Sequence, residues 1–569
     1  MAGIYGVFLK DKEKIKSISL SKNAVKDDIS VPNGMLGRSV LAKLKGHRFL
    51  ETKNGITICF EGLNLSDQGI QPSTFFENFE KEGIAFAKKL KGSYAGFVYD
   101  SNNETVHVFT DNLATKSIFY YHDKEVGFIF SSEMAALSTF LRQQNISYSL
   151  NTDAVYMMAL YGFLLEDHTY VNEIKSLRYN SILSYSLKES NVGIQKFNQY
   201  CNKDIKIGYK EAIDRIDELA TSSIQKNWEF LSGPKHLSLL SGGMDARTNV
   251  LIAKELGQDN ISTITFGQSN SKDVKYARMI AEGEGLNHHE RYLDSPDYLV
   301  DTIFENYVKP NDGLIMYHSS AHTSSTVRNF DTQKYNVLHT GQIGDALFGS
   351  FSKSGYDFIK NRGKIGYTGF ISDNSLLDKI TGLPSILKKY QELGMELFTY
   401  EQRIINATLM GDRTLNNTID NISPFFDQEL INLCLSLPNE YKASQIIYFD
   451  WLKKYHKQVL AYPWDKIDML PNNRFKIVYG KKFKKYFNGA KKYFKLRYDS
   501  MNPYNNWLTE NPYIIETLDT ILNQELQKNL LDKEIKRDLR KIYANNIFEF
   551  RNKFAVVTAL LAIKLHFED

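Results

Sequence analysis

The sequence predicts a β-rich first part followed by an α/β second part. In the first part, short β-branched or aromatic segments alternate with polar turns such as Ser101-Asn102-Asn103, which is typical of stacked antiparallel sheets. From about residue 208 onward, long helical patterns dominate and strands become sparse. The early segments lie at 94–100, 105–110, 117–121 and 126–131, and three later strands lie at 236–240, 261–266 and 336–340.

The length of the chain predicts more than one domain. Its 569 residues exceed one ordinary core, and a prior of about 150 residues per domain allows two to four domains. We predict two, residues 1–205 and 206–569, because the apolar periodicity is interrupted between Tyr200 and Lys206.

Composition predicts a soluble, cytoplasmic protein. Hydrophobic residues make up 42% and charged residues 24%, and a net charge of +4 is too small to indicate a general preference for nucleic acid. The longest uncharged apolar run, 554–563, is about half as long as a membrane span, and the first ten residues lack the basic start of a signal peptide. The three cysteines, Cys59, Cys201 and Cys434, are far apart in the sequence, which favours reduced thiols over a disulfide or zinc site.

Residues 236–257 are predicted to form a strand, a tight turn and a helix. The turn is Ser241-Gly242-Gly243, where glycine lets the backbone approach a ligand and the amides of the new helix suit a phosphate group. The spacing excludes the G-x-G-x-x-G and G-x-x-x-x-G-K-[ST] motifs and matches the Ser-Gly-Gly-x-Asp type of ATP pyrophosphatases. The predicted nucleotide contacts are Leu239, Ser241, Gly242, Gly243, Met244, Asp245, Ala246, Thr265, Phe266, Thr340 and Gly341.

A second glycine-flanked turn, residues 341–345, follows the strand at 336–340. Ser-Gly-Gly after a strand also occurs in ordinary loops, but this second turn and the intervening strand favour a nucleotide site. Each turn carries an aspartate near a strand end, so Asp245 and Asp345 are predicted to hold Mg²⁺ between them and link it to ATP.

With these residues in view, the chain resembles the asparagine synthetase family. The resemblance implies an N-terminal-nucleophile (Ntn) hydrolase-like αββα sandwich followed by an adenine-nucleotide α-hydrolase-like (PP-loop) domain. Besides the two turns, its landmarks occur in the family's order at 3–7, 92–97, 110–112, 118–121, 130–137, 161–163, 169–177, 424–427 and 435–438.

The chain also departs from the family pattern. Glutamine-hydrolysing members have a nucleophilic cysteine at residue 2, whereas this chain has Ala2, so we predict that the first domain does not hydrolyse glutamine. The run 59–64 differs from the family's Asn-Gly-Glu glutamine-binding run. In the second domain, Ala246, Gln342 and Ala346 replace a usual serine and two acids, and an amide such as Gln342 cannot act as a general base.

The resemblance implies a reaction in which a carboxylate attacks ATP, pyrophosphate leaves, and an amine attacks the acyl-adenylate. A tyrosine that assists the amine is predicted at Tyr317 or Tyr335, and a lysine that stabilises the adenylate at Lys476 or Lys481. Both lysines belong to a basic stretch, 474–498, which is either a solvated helix face or a docking surface for an anionic partner.

Four functions remain open from the sequence. The leading one is an ATP-dependent amide-forming ligase without its own glutaminase, acting on aspartate, a small amino-acid derivative, a peptide or a sugar acid. The alternative is a catalytically impaired homologue that binds nucleotide or a partner. A tRNA-thiolating pyrophosphatase would need closely placed cysteines and a nucleic-acid domain, and a membrane-surface scaffold would use the basic stretch. The sequence is also compatible with a homodimer.

Overall fold

The computed structural model describes residues 3–20, 25–66, 71–230, 236–352, 355–369, 371–493, 501–545 and 550–568, with backbone alone at 45–47, 482 and 485–493. Position 2, where the predicted nucleophile is missing, lies outside these residues. In the described part of the chain, the strands form two antiparallel six-stranded sheets and one parallel five-stranded sheet. This arrangement confirms the predicted fold class.

The first half contains the two antiparallel sheets, which lie face to face. One has the strand order β10-β8-β9-β1-β3-β2 and the other β12-β11-β7-β6-β5-β4. The strands are β1 (Gly3–Leu9), β2 (Val25–Val31), β3 (Gly34–Val40), β4 (Phe49–Lys53), β5 (Ile56–Asn64), β6 (Gly92–Asp100), β7 (Thr105–Thr110), β8 (Phe119–Asp123), β9 (Gly127–Ser131), β10 (Ile174–Ser176), β11 (Ser181–Ser186) and β12 (Asn191–Lys196).

Helices cover both outer faces of this sandwich. Buried apolar residues of both sheets, including Phe97 and Phe130, fill the space between them. The outer face of the second sheet packs against α1 (Pro72–Glu82), and that of the first against α2 (Met134–Gln143) and α3 (Thr152–Tyr161). The layers therefore run helix, sheet, sheet, helix.

The second half is built around the parallel sheet, in the order β15-β14-β13-β16-β17. Its strands are β13 (His236–Leu239), β14 (Ser262–Gly267), β15 (Asn287–Tyr292), β16 (Val337–His339) and β17 (Asp420–Ile422). The sequence predicted β13, β14 and β16 but missed both edge strands. Strand β15 reads Asn-His-His-Glu-Arg-Tyr and has no apolar run, while β17 has only three residues, too few for a periodicity signal.

Helices surround the parallel sheet, and several start or stop at capping residues. The Ser271 side chain accepts a hydrogen bond from the Val274 amide at the start of α6, and Gly285 ends that helix in the left-handed conformation. The helices are α4 (Tyr209–Glu229), α5 (Met244–Glu255), α6 (Lys272–Glu284), α7 (His318–Arg328), α8 (Gly344–Leu347), α9 (Asn374–Leu377), α10 (Leu383–Phe398), α11 (Leu409–Asp412), α12 (Gln428–Ser436), α13 (Asn439–Lys442), α14 (Ile446–Tyr455), α15 (Arg474–Tyr493), α16 (Tyr504–Glu510), α17 (Pro512–Gln527), α18 (Lys533–Tyr543) and α19 (Arg551–Phe567).

The two halves share a continuous core. The predicted boundary at 205 falls between β12 and α4. However, the buried helix α19 at the end of the chain packs against α2 and α3 of the first half. The Asp312 carboxylate also accepts the amides of Met134 and Ala135, at 3.1 and 2.9 Å, and so caps α2 from the second half. In the described residues, none of the helices is both long and apolar enough to cross a bilayer.

Candidate active site

A short loop, residues 240–243, joins the central strand β13 to helix α5 at the carboxyl end of the parallel sheet, where such sheets bind ligands. The Ser241 hydroxyl accepts a hydrogen bond from the Gly243 amide at 3.1 Å. A methyl group placed on Gly242 would lie 3.0 Å from the Asp465 side chain, so the loop packs closely against the segment around that residue. Ser241, Gly243, Asp245 and Ala246 remain partly accessible.

Arg247 holds this loop from inside the protein. Its side chain is fully buried, and its guanidinium donates to the carbonyl oxygens of Gly242 and Gly243 at 2.8 and 3.0 Å. It also donates to the carbonyls of Tyr462 and Pro463 at 3.0 and 2.7 Å. Burial lowers its pKa to about 10, so it remains charged at neutral pH. Arg247 thus ties the loop to a segment that is remote in sequence.

The loop after β16 lies directly against the loop after β13. The Asp345 amide donates to Asp245 Oδ2 at 2.9 Å. A methyl group on Gly341 would lie 2.3 Å from the Ala246 amide nitrogen, and one on Gly344 would lie 2.7 Å from Asp245 Cγ. Only glycine fits at these two contacts. The two turns singled out in the sequence therefore converge, and their aspartates are neighbours.

The two aspartates form a negatively charged, incompletely paired group. Asp245 Oδ1 is buried and has no hydrogen-bond partner among the described residues. Burial and the nearby charge of Asp345 raise the pKa of Asp245. Asp345 Oδ2 accepts from the Ser350 hydroxyl at 3.1 Å and lies 3.5 Å from Lys466 Nζ. Lys466 was not foreseen from the sequence, since it lies 121 positions away.

These residues fit a magnesium ion that also binds a nucleotide. Mg²⁺ prefers carboxylate oxygens and commonly takes one or two of them together with phosphate oxygens and water. In the described part of the chain, no group of three or more His, Cys, Asp or Glu side chains could hold a metal unaided. Asp245 and Asp345 would therefore supply the protein ligands, and Asp245 Oδ1 accepts no hydrogen bond within normal distance from the described residues.

The residues predicted to contact nucleotide all lie around the two loops or at neighbouring strand ends. Met244, Thr265 and Thr340 are buried, with whole-residue exposures of 4%, 2% and 2%, so they present little surface to a ligand. Gly242 is also buried. The partly accessible members are Leu239, Ser241, Gly243, Asp245, Ala246, Phe266 and Gly341.

Three non-glycine residues beside the site have left-handed backbone conformations. Ile343, in the loop after β16, has φ 63°, and the consecutive residues Ser444 and Gln445 have φ 57° and 64°. Such conformations cost on the order of 1–3 kcal/mol each and occur preferentially at functional sites. A β-branched residue such as Ile343 is an especially rare case.

Lys481, one of the two predicted lysines, lies beside this site. It projects from α15, and Nζ donates to Gln445 Oε1 at 2.7 Å and to the Ser444 carbonyl at 3.2 Å. Burial, together with the charge of Lys466, lowers its pKa to about 8, while Asp345 acts in the opposite direction. Lys481 is therefore a cation close to the candidate metal ligands.

Lys476, the other predicted lysine, has a different environment. Its ammonium bonds Asn472 Oδ1 at 3.3 Å, near the start of the same helix, and this contact does not bring it to the site. Residues 494–498 of the basic stretch lie outside the described residues.

Tyr317, predicted to assist proton transfer, lies in the apolar core instead. Its ring stacks on Tyr307 with centroids 6.1 Å apart and meets Phe554 edge-on at 5.2 Å. The hydroxyl is buried without a hydrogen-bond partner in the described residues, and burial raises its pKa well above the usual value. This packing contradicts the suggested role. The second candidate, Tyr335, also packs in a core, stacked on Phe330.

A cavity of about 380 Å³ opens next to the second loop. Its lining includes Gln342 and Asp412, together with His318 and His322 from α7. The ring of Phe266, at the end of β14, lies 5.4 Å from the ring of His322, so the cavity adjoins the candidate nucleotide site. Asp412 could not be identified from the sequence, because no motif surrounds it.

In the first half, the run 59–64 lies in the buried strand β5. Cys59 is packed between the two sheets, and burial raises the pKa of its thiol. Glu61 is buried in ion-pair contact with Arg48. Cys59 is therefore not placed to replace the cysteine that is missing at position 2.

Two family models match the chain. Residues 232–464 match an asparagine synthase model, and residues 73–198 match a glutamine amidotransferase domain model. The first match includes both loops with Asp245 and Asp345, while the second begins after position 2 and after the run 59–64.

Individual relatives were also found. A Methanocaldococcus jannaschii protein that carries the name of a glutamine-hydrolysing asparagine synthetase is 26% identical over 385 residues, which are 65% of this chain and 59% of that protein. A glutamine phosphoribosylpyrophosphate amidotransferase structure from B. subtilis is 11% identical, with TM-score 0.20, over 45% of this chain and 51% of that one. A U34-tRNA thiolase structure from Methanococcus maripaludis is 12% identical, with TM-score 0.22, over 56% of this chain and 89% of that one.

Proposed function

Since the chain belongs to the asparagine synthetase family, we propose that it is an ATP-dependent ligase that adenylates a substrate carboxylate and couples it to ammonia or another amine. The observation that carries the proposal is the contact between the two loops, in which Asp245 Oδ2 accepts the Asp345 amide at 2.9 Å. This contact leaves two adjacent carboxylates at the end of a parallel sheet, beside a glycine turn that suits phosphate.

In the proposed reaction, backbone amides of the turn at 241–245 bind the pyrophosphate part of ATP, while the Gly243 amide, which donates to the Ser241 hydroxyl, shapes the turn. Asp245 and Asp345 would hold Mg²⁺, which, when bound, neutralises negative charge on the phosphate oxygens. Lys481 and Lys466 place two further cations near the same group. The substrate carboxylate displaces pyrophosphate from the α-phosphorus, and the amine then displaces AMP from the resulting acyl-adenylate.

Exchange of labelled pyrophosphate into ATP tests this proposal directly, because it requires reversible adenylation but no amine. Purified protein with Mg²⁺ would be assayed with L-aspartate, a carboxyethyl amino acid, an acidic peptide and D-glucuronate, which represent the four candidate substrate classes. We expect exchange that depends on one of these carboxylates. Nucleotide binding without exchange across such a panel would favour the alternative, an impaired homologue, which the amide at Gln342 and the methyl at Ala346 support.

Changes at Lys481 are expected to alter the pH dependence of exchange. Its pKa of about 8 means that the ammonium charge is present at neutral pH and is lost as pH rises through 8. The pH dependence of kcat/KM for ATP reports the ionisation of groups in the free enzyme. Wild-type kcat/KM should therefore fall above pH 8, whereas Lys481→Arg should remain active because arginine keeps its charge. In Lys481→Met, kcat/KM for ATP should fall by about tenfold to hundredfold at neutral pH, because a hydrogen bond from a charged group contributes about that much. A loss of equal size in Lys476→Met would contradict the assignment.

We further propose that the protein uses free ammonia or an amine rather than glutamine. Ala2 offers no nucleophile, and Cys59 is fully buried. Incubation with glutamine should therefore release ammonia no faster than a protein-free blank, measured with glutamate dehydrogenase. Release that disappears when Cys59 is replaced by serine would show that another thiol has taken over the reaction.

The basic stretch remains a proposed docking surface for an anionic partner. Phe475 is 67% exposed and lies next to Lys476 near the start of α15. Basic residues alternate with exposed aromatic ones there, which suits an acidic peptide or a phosphate-bearing substrate.

A further inference from the structure

The cavity beside the second loop contains a carboxylate that the steps above do not use. Asp412 ends α11, which continues directly from a π-helical segment, Thr399–Thr408. π-Helical turns are rare and occur frequently at functional sites. Asp412 is recessed but keeps some exposure, and it lines the cavity of about 380 Å³ together with Gln342.

Two amide side chains hold the Asp412 carboxylate. Gln342 Nε2 donates to Oδ1 at 2.8 Å, and Asn421 Nδ2 donates to Oδ2 at 2.8 Å. Each carboxylate oxygen has a second lone-pair site, so both oxygens can accept another hydrogen bond. Because amides donate without carrying a charge, they orient Asp412 without removing its affinity for a proton as a paired cation would.

Burial raises the pKa of Asp412 to about 7, against the lowering effect of the two amides and of Lys116. Of the other titratable or charged groups that line the cavity, His318 and His322 are neutral, since burial lowers their pKa values to about 3 and about 4. Arg551 supplies a positive charge on the cavity wall. A carboxylate poised near neutral pH has the proton affinity that a general base needs.

We propose that Asp412 is the proton acceptor for the amine that attacks the acyl-adenylate, and that Gln342 is the residue that positions it. This inference rests on the proposed ligase function. The amide of Gln342 cannot itself accept a proton. Its Nε2 holds Asp412 at 2.8 Å, and its Oε1 is buried with no hydrogen-bond partner in the described residues.

The step balances without any further reactant. The amine nitrogen attacks the carbonyl carbon of the acyl-adenylate and forms the new C–N bond, and one proton on that nitrogen passes to an oxygen of Asp412. The C–O bond to the phosphate breaks, and its electron pair leaves with AMP. Asp412 then returns the proton to water.

The test compares partial reactions in Asp412→Asn, which keeps the shape of the side chain but removes the base. The assays use ATP, Mg²⁺, the carboxylate that supports exchange, and either ammonium chloride or hydroxylamine. Amide formation from ammonia should fall by about 10²- to 10⁴-fold, as expected for loss of a general base. Pyrophosphate exchange needs no base and should fall by less than about tenfold, as should trapping by hydroxylamine, which is unprotonated at neutral pH and strongly nucleophilic.

The pH profile distinguishes catalysis from a structural role. The rates of amide formation are expressed relative to the concentration of unprotonated ammonia. On this basis, wild-type kcat/KM for ammonia should rise as pH passes 7 and Asp412 ionises. Asp412→Asn should lose this inflection, and Asp412→Glu should retain an inflection together with part of the activity. Gln342→Met removes a hydrogen bond that lowers the pKa of Asp412, so its inflection should move to higher pH.

Two results would overturn the inference. In one, Asp412→Asn makes amide from ammonia at close to the wild-type rate. In the other, exchange, hydroxylamine trapping and amide formation all fall equally, which would make Asp412 a structural residue. If instead the wild-type protein shows no exchange with any carboxylate, the proposed function fails and this inference fails with it.

Discussion

Replacing Asp245 by asparagine is expected to abolish carboxylate-dependent pyrophosphate exchange, with a loss of about hundredfold or more. The substitution removes the charge of one of two adjacent carboxylates. In the described part of the chain, the buried Asp245 Oδ1 has no hydrogen-bond partner. Asparagine can still accept the Asp345 amide, so the contact between the loops should survive. Exchange is measured with labelled pyrophosphate at saturating ATP and over a range of Mg²⁺ concentrations.

The matched control is Asp378→Asn, which changes an exposed carboxylate paired with Arg362 at 2.7 Å. It should exchange at the wild-type rate, and both variants should melt close to the wild-type temperature. An Asp245→Asn protein that retained full exchange and the same Mg²⁺ dependence would remove this aspartate from the mechanism.

Replacing Asp420 by asparagine is expected to destabilise the protein by about 3–5 kcal/mol, the usual cost of breaking a buried ion pair on one side. Asp420 lies in β17 of the second half and forms ion pairs with Arg48 and Lys116 of the first half, the latter at 2.7 Å. Arg48 also contacts Glu61, so two cations and two anions form a buried cluster across the two halves. Removal of one anion leaves a positive charge unpaired.

The sign of the pH effect follows from the same cluster. Although burial acts to raise it, the charges of Arg48 and Lys116 hold the pKa of Asp420 below its usual range. Its stabilising contribution is therefore complete at neutral pH and is lost in strong acid, as pH falls through that lowered pKa. Asp420→Asn should flatten this part of the acid denaturation curve.

Denaturant unfolding followed by fluorescence measures the effect of Asp420→Asn. The control is Glu125→Gln, which breaks an exposed pair with Lys10 at 3.4 Å and should cost no more than about 1 kcal/mol. If both variants unfold at the wild-type denaturant concentration, the cluster does not link the two halves.

The loops of the candidate nucleotide site could be located from the sequence because their signals are local. A strand, a glycine turn and an aspartate lie within ten residues at both 236–245 and 337–345, and the parallel sheet brings such strand ends together. The stacked antiparallel sheets were likewise predictable from short segments with polar turns.

The remaining features depend on contacts between residues far apart in sequence. Lys466 and Asp412 reach the site from segments that carry no motif, and their partners are 121 and 70 positions away. Tyr317 is the opposite case, because it was predicted at the site but lies in the core. The sequence alone does not distinguish a buried tyrosine from a catalytic one. The short strand β17 forms only beside β16, so its three residues carried no periodicity of their own.

Hydrogen–deuterium exchange with and without Mg²⁺ and a non-hydrolysable ATP analogue tests the central claim most directly. The claim is that the loops at 240–246 and 340–346 bind one nucleotide between them. We predict that the amides of both segments become protected together and only when Mg²⁺ is present. Protection of only one of the two segments would contradict this claim. Protection of another region, with neither segment protected, would contradict it as well.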